Sequence, residues 1–157
     1  MQSAHIKTPL GTARIEGDEN GISLIHVLDE SIEASTEIPQ SLSKAVSELT
    51  EYFEGKRQQF TFAINPKGTD FQKSVWKSLV EIPFGTTTSY LALSRKLGDE
   101  KAIRAVASAN GKNPLWIVVP CHRVIGSDGS LTGYAGGLWR KKWLLEHESP
   151  PTQQSLF

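Results

Sequence analysis

The run Asn65–Pro66–Lys67–Gly68 separates two stretches of chain whose apolar residues follow different rhythms. It is rich in turn formers and poor in anything that packs into a core. Before it, short apolar runs are broken by turn signals, as in strands; after it, apolar residues recur at helical spacing. A chain of 157 residues can hold two small modules with separate cores. Residues 1–64 and 65–150 are therefore read as two domains, with 151–157 as a flexible tail.

In the first module, His5–Pro9, Thr12–Glu16 and Ile22–Leu28 are separated by Pro9–Leu10–Gly11 and Asp18–Glu19–Asn20–Gly21. Asn20–Gly21 is a hairpin signal, because both residues tolerate positive φ. A small antiparallel sheet follows. From Gln40 to Phe53, Leu42, Ala45, Val46, Leu49, Tyr52 and Phe53 recur at helical spacing, and Gly55 ends the run. Phe60–Ile64 reads as one more short strand. Nothing here resembles a catalytic site, and the module reads as support.

In the second, Thr69 or Asp70 caps a helix with Phe71, Val75, Trp76 and Leu79 on its inner face. Ser89 caps another, carrying Tyr90, Leu91, Leu93 and Leu97 and closed by Gly98. Glu100–Asn110 follows with Ala102, Ile103, Val106, Ala107 and Ala109. Two short helices across a tight turn outline a helix-turn-helix, although many helical cores contain such pairs. Ala105, Ala107, Ser108 and Ala109 are small enough to admit DNA or another helix. Arg104 is available to a phosphate or to a surface ion pair. Leu115–Val119 lies between prolines and reads as a buried strand or extended segment. Val124–Thr132 reads as a turn or wing tipped by Asp128–Gly129. Gly137–His147 forms the last helix, packing Leu138, Trp139, Trp143, Leu144 and Leu145. The fold class is mixed α/β, of the α+β kind.

The net charge is zero, but it is unevenly spread: residues 1–64 hold 5 Lys/Arg against 10 Asp/Glu, and residues 65–157 hold 12 against 7. Local potential governs contact with a phosphate backbone, so the second half is open to nucleic acid. A difference in composition between adjacent modules explains the asymmetry equally well. No apolar run approaches the ~20 residues of a membrane span, and the first residues lack the basic start and apolar stretch of a secretory signal. A single cysteine allows no internal disulfide, which fits the reducing cytoplasm. His5, His26, His122 and His147 show no metal-binding spacing, so neither metal nor cofactor is expected.

That cysteine, Cys121, lies in Pro120–Cys121–His122–Arg123. Most cysteines are buried and inert. Here Pro120 restrains the approach, and two potentially cationic neighbours favour a thiolate. On a strand, His122 would point away from the sulfur, so a Cys–His couple requires a backbone turn at 120–123 or a bridging water. Acyl transfer needs an oxyanion pocket, for which no stretch is evident. Alkyl transfer instead needs a soft thiolate and a donor for the leaving group, for which Tyr90 and Tyr134 carry phenols. Glu148 either orients His122 or faces solvent. Trp76, Trp116, Trp139 and Trp143 read as core.

Pro120–Cys121–His122–Arg123–Val124 matches the signature of the O6-alkylguanine-DNA alkyltransferases, also called methylated-DNA–protein-cysteine methyltransferases. The resemblance runs from about Phe71 to Glu148 and includes Ile82–Pro83–Phe84–Gly85, Thr88–Ser89–Tyr90, Arg104–Ala105–Val106, Asn110–Gly111–Lys112–Asn113–Pro114, Gly133–Tyr134–Ala135–Gly136–Gly137 and Trp143–Leu144–Leu145–Glu146–His147–Glu148. It implies a ribonuclease H-like amino-terminal domain and a winged-helix domain that binds double-stranded DNA and rotates an O6-alkylguanine out of the stack. The implied activity is a single irreversible alkyl transfer, with O4-alkylthymine as a further substrate, by a monomer without an obligate protein partner.

The resemblance also implies roles. Cys121 accepts the alkyl group, His122 takes the thiol proton through a water, and Glu148 fixes His122. Tyr90 aids rotation of the phosphate and acts near guanine N3, while Asn113 braces the active-site turn. Backbone around Val119 and Cys121 recognises guanine, and Tyr134, Ala135 and Gly136 line the pocket. Arg104, Ala105, Ser108, Lys112 and Arg123 face DNA. Some members carry arginine just before a Gly-Asn-Pro run; here Gly111 takes that place and Lys112 follows, as a wedge or a phosphate contact. Trp116 either limits larger alkyl groups or fills the core. A noncatalytic relative would lack the cysteine, a winged-helix transcription factor would prefer an undamaged sequence, and a cysteine hydrolase would turn over repeatedly.

Overall fold

A computed structural model of the chain describes residues 1–131, 134 and 136–149. Its described residues form two compact units, one of Met1–Lys67 with Pro114–Trp116 and one of Gly68–Asn113 with the chain from Ile117 onward. The tail 151–157 lies outside the described residues.

The first unit is an antiparallel sheet in the order β1 (Gln2–Thr8), β2 (Gly11–Asp18), β3 (Gly21–Val27), packed against helix α1 (Gln40–Phe53). Ala4, Ala13, Ile15 and Ile25 alternate inward and meet Leu42, Ala45, Leu49 and Tyr52 of the helix. The β2–β3 hairpin forms, but not with positive φ at both turn residues: Gly21 alone adopts it, and the Asp18 carboxylate accepts the Asn20 N–H at 2.9 Å. Phe60–Ile64 is not a strand. Glu48, buried on α1, holds Thr61 through its N–H at 2.7 Å and its hydroxyl at 2.6 Å, so only Ile64 bridges to β3. Residues 114–116 pair with the same strand: Ile25 donates to Pro114 O at 2.8 Å and accepts from Trp116 N at 3.1 Å. These short segments cover an edge that would otherwise expose unpaired backbone groups.

The second unit is helical. Its first helix, α2 (Asp70–Val80), opens on a capping box, in which Thr69 Oγ1 accepts from Gln72 N and Gln72 Oε1 from Thr69 N. It buries Val75, Trp76 and Leu79, while Phe71 is exposed; one turn ahead of that cluster, Phe71 projects past the core. Strand β4 (Thr88–Ser89) leads into α3 (Tyr90–Lys96), where Ser89 caps Ala92 N at 3.0 Å. Gly98, at φ 93°, ends it. A 3-10 turn at Glu100–Ala102 leads into α4 (Ile103–Gly111), which packs on both α2 and α3. Strand β5 (Val124–Ile125) pairs in parallel with β4, and α5 (Leu138–Glu148) closes the described chain. No helix among the described residues is long and apolar enough to cross a membrane.

Candidate active site

Leu115–Val119 does not run on as a strand. Only Leu115 bridges to β3, and at Ile117 the backbone enters the left-handed region with φ 72°. A buried, β-branched residue adopts that conformation only when its surroundings enforce it. The chain then tightens into a 3-10 turn at Cys121–Arg123, with Cys121 N donating to Val119 O at 2.8 Å and Arg123 N to Pro120 O at 3.0 Å. This is the backbone turn that a Cys–His couple requires.

Asn113 anchors the turn by donating from Nδ2 to Val119 O at 2.7 Å. With the Cys121 N–H on the same oxygen, the Val119 carbonyl is engaged twice by the turn. The Cys121 sulfur is buried, 7% of the residue being exposed. Burial pushes its pKa up, opposed by the Asn113 amide, the charge of Lys141 and Tyr134. The resting group is therefore a thiol, in surroundings already arranged to favour the thiolate.

Beside it, His122 is fully buried, and its Nε2 lies 2.7 Å from Glu148 Oε2. Its other nitrogen, Nδ1, is buried with no hydrogen-bond partner among the described residues. A carboxylate only accepts, so the proton is assigned to Nε2, leaving Nδ1 with a lone pair. Glu148 is 3% exposed, which removes its solvent-facing reading. Burial by itself would raise its pKa, but His122 and Arg123 outweigh that and hold the carboxyl well below the usual range.

Arg123 overturns another expectation. It is 6% exposed and faces inward, not toward DNA. Its Nε and Nη2 grip the two oxygens of Glu148 at 2.7 and 3.0 Å, Nη1 donates to Ile82 O at 2.7 Å, and the guanidinium lies 5.8 Å from the Phe84 ring centre.

Sequence reasoning missed Lys141. It is fully buried, donates to Val124 O at 2.7 Å, and interacts electrostatically with Cys121. Burial lowers its pKa to about 8, against the pull of the Cys121 charge. The signal was present: Arg140, Lys141, Leu144, Leu145 and Glu148 share one helical face, and that face is the buried one. Leu138 and Trp139, expected inside, are exposed.

Of the remaining candidates, Tyr90 opens α3, half-buried, with its carbonyl accepting the Ser94 hydroxyl at 2.8 Å. Arg104, Ala105, Ser108 and Lys112 share the exposed side of α4, and neither cation has an ion-pair partner among the described residues. Gly136 is half-buried, and Ala135 lies outside the described residues. Trp116 packs its ring 5.9 Å from Phe53 in the first unit. No group of three potential metal ligands occurs among the described residues.

The arrangement can thus take a proton from a buried thiol, stabilise the thiolate, and hold the resulting imidazolium against a carboxylate. The family described as 6-O-methylguanine DNA methyltransferase, DNA binding domain, matches residues 70–150, and its ribonuclease-like domain matches residues 1–66. A methylated-DNA–protein-cysteine methyltransferase of Methanosarcina barkeri is 44% identical over 150 residues, covering 91% of this chain and 94% of its own. The Mycobacterium tuberculosis O6-methylguanine methyltransferase structure is 42% identical, with a TM-score of 0.82 and coverage of 98% and 96% of the two chains. The structure of Mycobacterium tuberculosis OGT in complex with DNA is 40% identical, with a TM-score of 0.84 and 98% coverage of each chain.

Proposed function

The chain belongs to the 6-O-methylguanine DNA methyltransferase family, and from that premise we propose that it repairs DNA by transferring the alkyl group of O6-alkylguanine, and of O4-alkylthymine, to Cys121. One observation carries the reading: His122, hydrogen-bonded to Glu148 through Nε2, keeps an Nδ1 with no hydrogen-bond partner among the described residues, and it directly follows the only thiol of the chain.

The helix-turn-helix of α3 and α4 docks on double-stranded DNA, with β4 and β5 belonging to a winged-helix arrangement. The exposed side of α4, with small Ala105 and Ser108 between Arg104 and Lys112, suits close approach to a phosphate-lined groove. The damaged nucleotide is extruded, because a stacked base cannot present its O6 substituent for in-line attack. Unstacking costs on the order of a few kcal/mol, which DNA contacts offset.

The thiol proton then passes across a bridging water to His122 Nδ1, and the imidazolium is held by Glu148. A sulfur lone pair forms the S–C bond as the C–O6 bond breaks, and its electron pair leaves with the guanine. The Tyr90 phenol or solvent protonates the departing ring, so charge balances. The thioether is inert to water, and each molecule acts once. The protein works as a cytoplasmic monomer, without cofactor or obligate partner.

The test is a titration of the protein against duplex carrying O6-methylguanine. The reading predicts that lesion disappears in equimolar amount and then stops. Continued turnover, or no loss of lesion, contradicts it.

A further inference from the structure

One buried side chain is used by neither the proton relay nor the DNA face. Arg140 is 5% exposed, an unusual position for an arginine on a surface helix. Its Nη1 donates to Gly136 O at 2.9 Å, and its guanidinium carbon lies 4.6 Å from the centre of the Trp139 ring. Trp139 is itself 58% exposed, so the indole shields one face of the guanidinium from water. A methyl group added at Gly136 would come within 3.0 Å of the Tyr134 ring and 3.5 Å of Arg140 Cδ. Gly136 therefore lies close against both the Tyr134 ring and the Arg140 stem, and Tyr134 in turn acts on the Cys121 thiol, favouring its thiolate. A continuous path leads from an exposed indole to the reacting atom.

We infer that Arg140 is a specificity-determining positioning residue: clamped beneath Trp139 and bonded to Gly136 O, it fixes the Tyr134 wall and so sets how large an alkyl group fits beside Cys121. The inference rests on the proposed alkyl transfer. Arg140 does not touch the reacting atoms; it acts through Gly136 and Tyr134. A fixed wall keeps a methyl carbon in line with the sulfur, and the same wall limits a bulkier substituent.

The experiment compares single-turnover rates on duplexes carrying O6-methylguanine and O6-benzylguanine. Arg140→Met keeps the aliphatic stem but loses the donor and the charge. Its methyl-to-benzyl rate ratio is expected to fall at least about fivefold, because small misplacements of a reacting group carry large rate penalties. Arg140→Lys, which restores a donor without the planar stack, recovers part of the ratio. Trp139→Ala, at an exposed position, shifts the ratio the same way by less, and decides the matter if Arg140→Met fails to fold. Equal slowing on both duplexes, or an unchanged ratio in the folded variants, overturns the inference. Failure of the unmodified protein to transfer either group to Cys121 instead overturns the functional reading on which it rests.

Discussion

Arg123 holds both oxygens of Glu148, with Nε 2.7 Å from Oε1 and Nη2 3.0 Å from Oε2, and the second oxygen also receives His122 at 2.7 Å. One carboxylate thus serves two partners. Arg123 both neutralises it and fixes the plane in which it meets the imidazole. Bidentate geometry of this kind is specific to the guanidinium fork.

Removing Arg123 leaves a buried carboxylate short of its main cation. Arg123→Met is predicted to lose about 3–5 kcal/mol of stability, as expected when one partner of a buried pair is deleted. Urea unfolding at neutral pH measures it. A loss below about 1 kcal/mol, the range of exposed pairs, contradicts the brace.

Acid should act on the same pair. The Glu148 carboxyl is held below its ordinary 4.5 in the folded protein. Its contribution is therefore complete above about pH 4.5 and is lost as pH falls toward the folded value. Unfolding followed from pH 6 down to pH 3 should show a decline that Glu148→Gln lacks. Parallel pH curves for the two proteins would contradict this.

Lys141 supplies the charge that faces the thiolate, and burial brings its pKa to about 8. Above that pH it is neutral and the support disappears. The transfer rate is accordingly predicted to stop rising near pH 8. Lys141→Met should slow transfer about tenfold at pH 7, the equivalent of one pKa unit at the thiol, and Lys141→Arg should recover part of it. A wild-type rate in Lys141→Met contradicts the assignment.

His122→Ala is predicted to slow alkyl transfer by about 10²–10⁴, the range of a positioned general base. Affinity for lesion-bearing duplex should change far less. Equal losses in rate and affinity point to a structural role for His122.

On α4, Lys112→Ala is expected to weaken binding to all duplexes about uniformly and to reduce the salt slope by about one. An unchanged slope with slower extrusion of the damaged base would assign Lys112 to the wedge.

Local signals read correctly where chemistry is local. Thr69 and Ser89 cap their helices and Gly98 ends α3, because each needs only its neighbours in sequence. Burial was harder to read, because it depends on distant segments. Phe71, Leu138 and Trp139 are apolar yet exposed, while Arg123, Arg140 and Lys141 are charged yet buried. Each buried cation has a backbone carbonyl waiting for it, on Ile82, Gly136 and Val124 respectively. No periodicity announces such an acceptor. Ile117 failed for a related reason: β-branched residues between prolines favour a strand, and only tertiary packing drives this one to positive φ.

The most direct check is the mass of the intact protein, with peptide mapping, after one exposure to duplex bearing a labelled O6-methyl group. The account predicts one added methyl, located on Cys121, and none on Cys121→Ser even though that variant still binds the lesion. Label on any other residue, or an unmodified Cys121 after the lesion has gone, would contradict it.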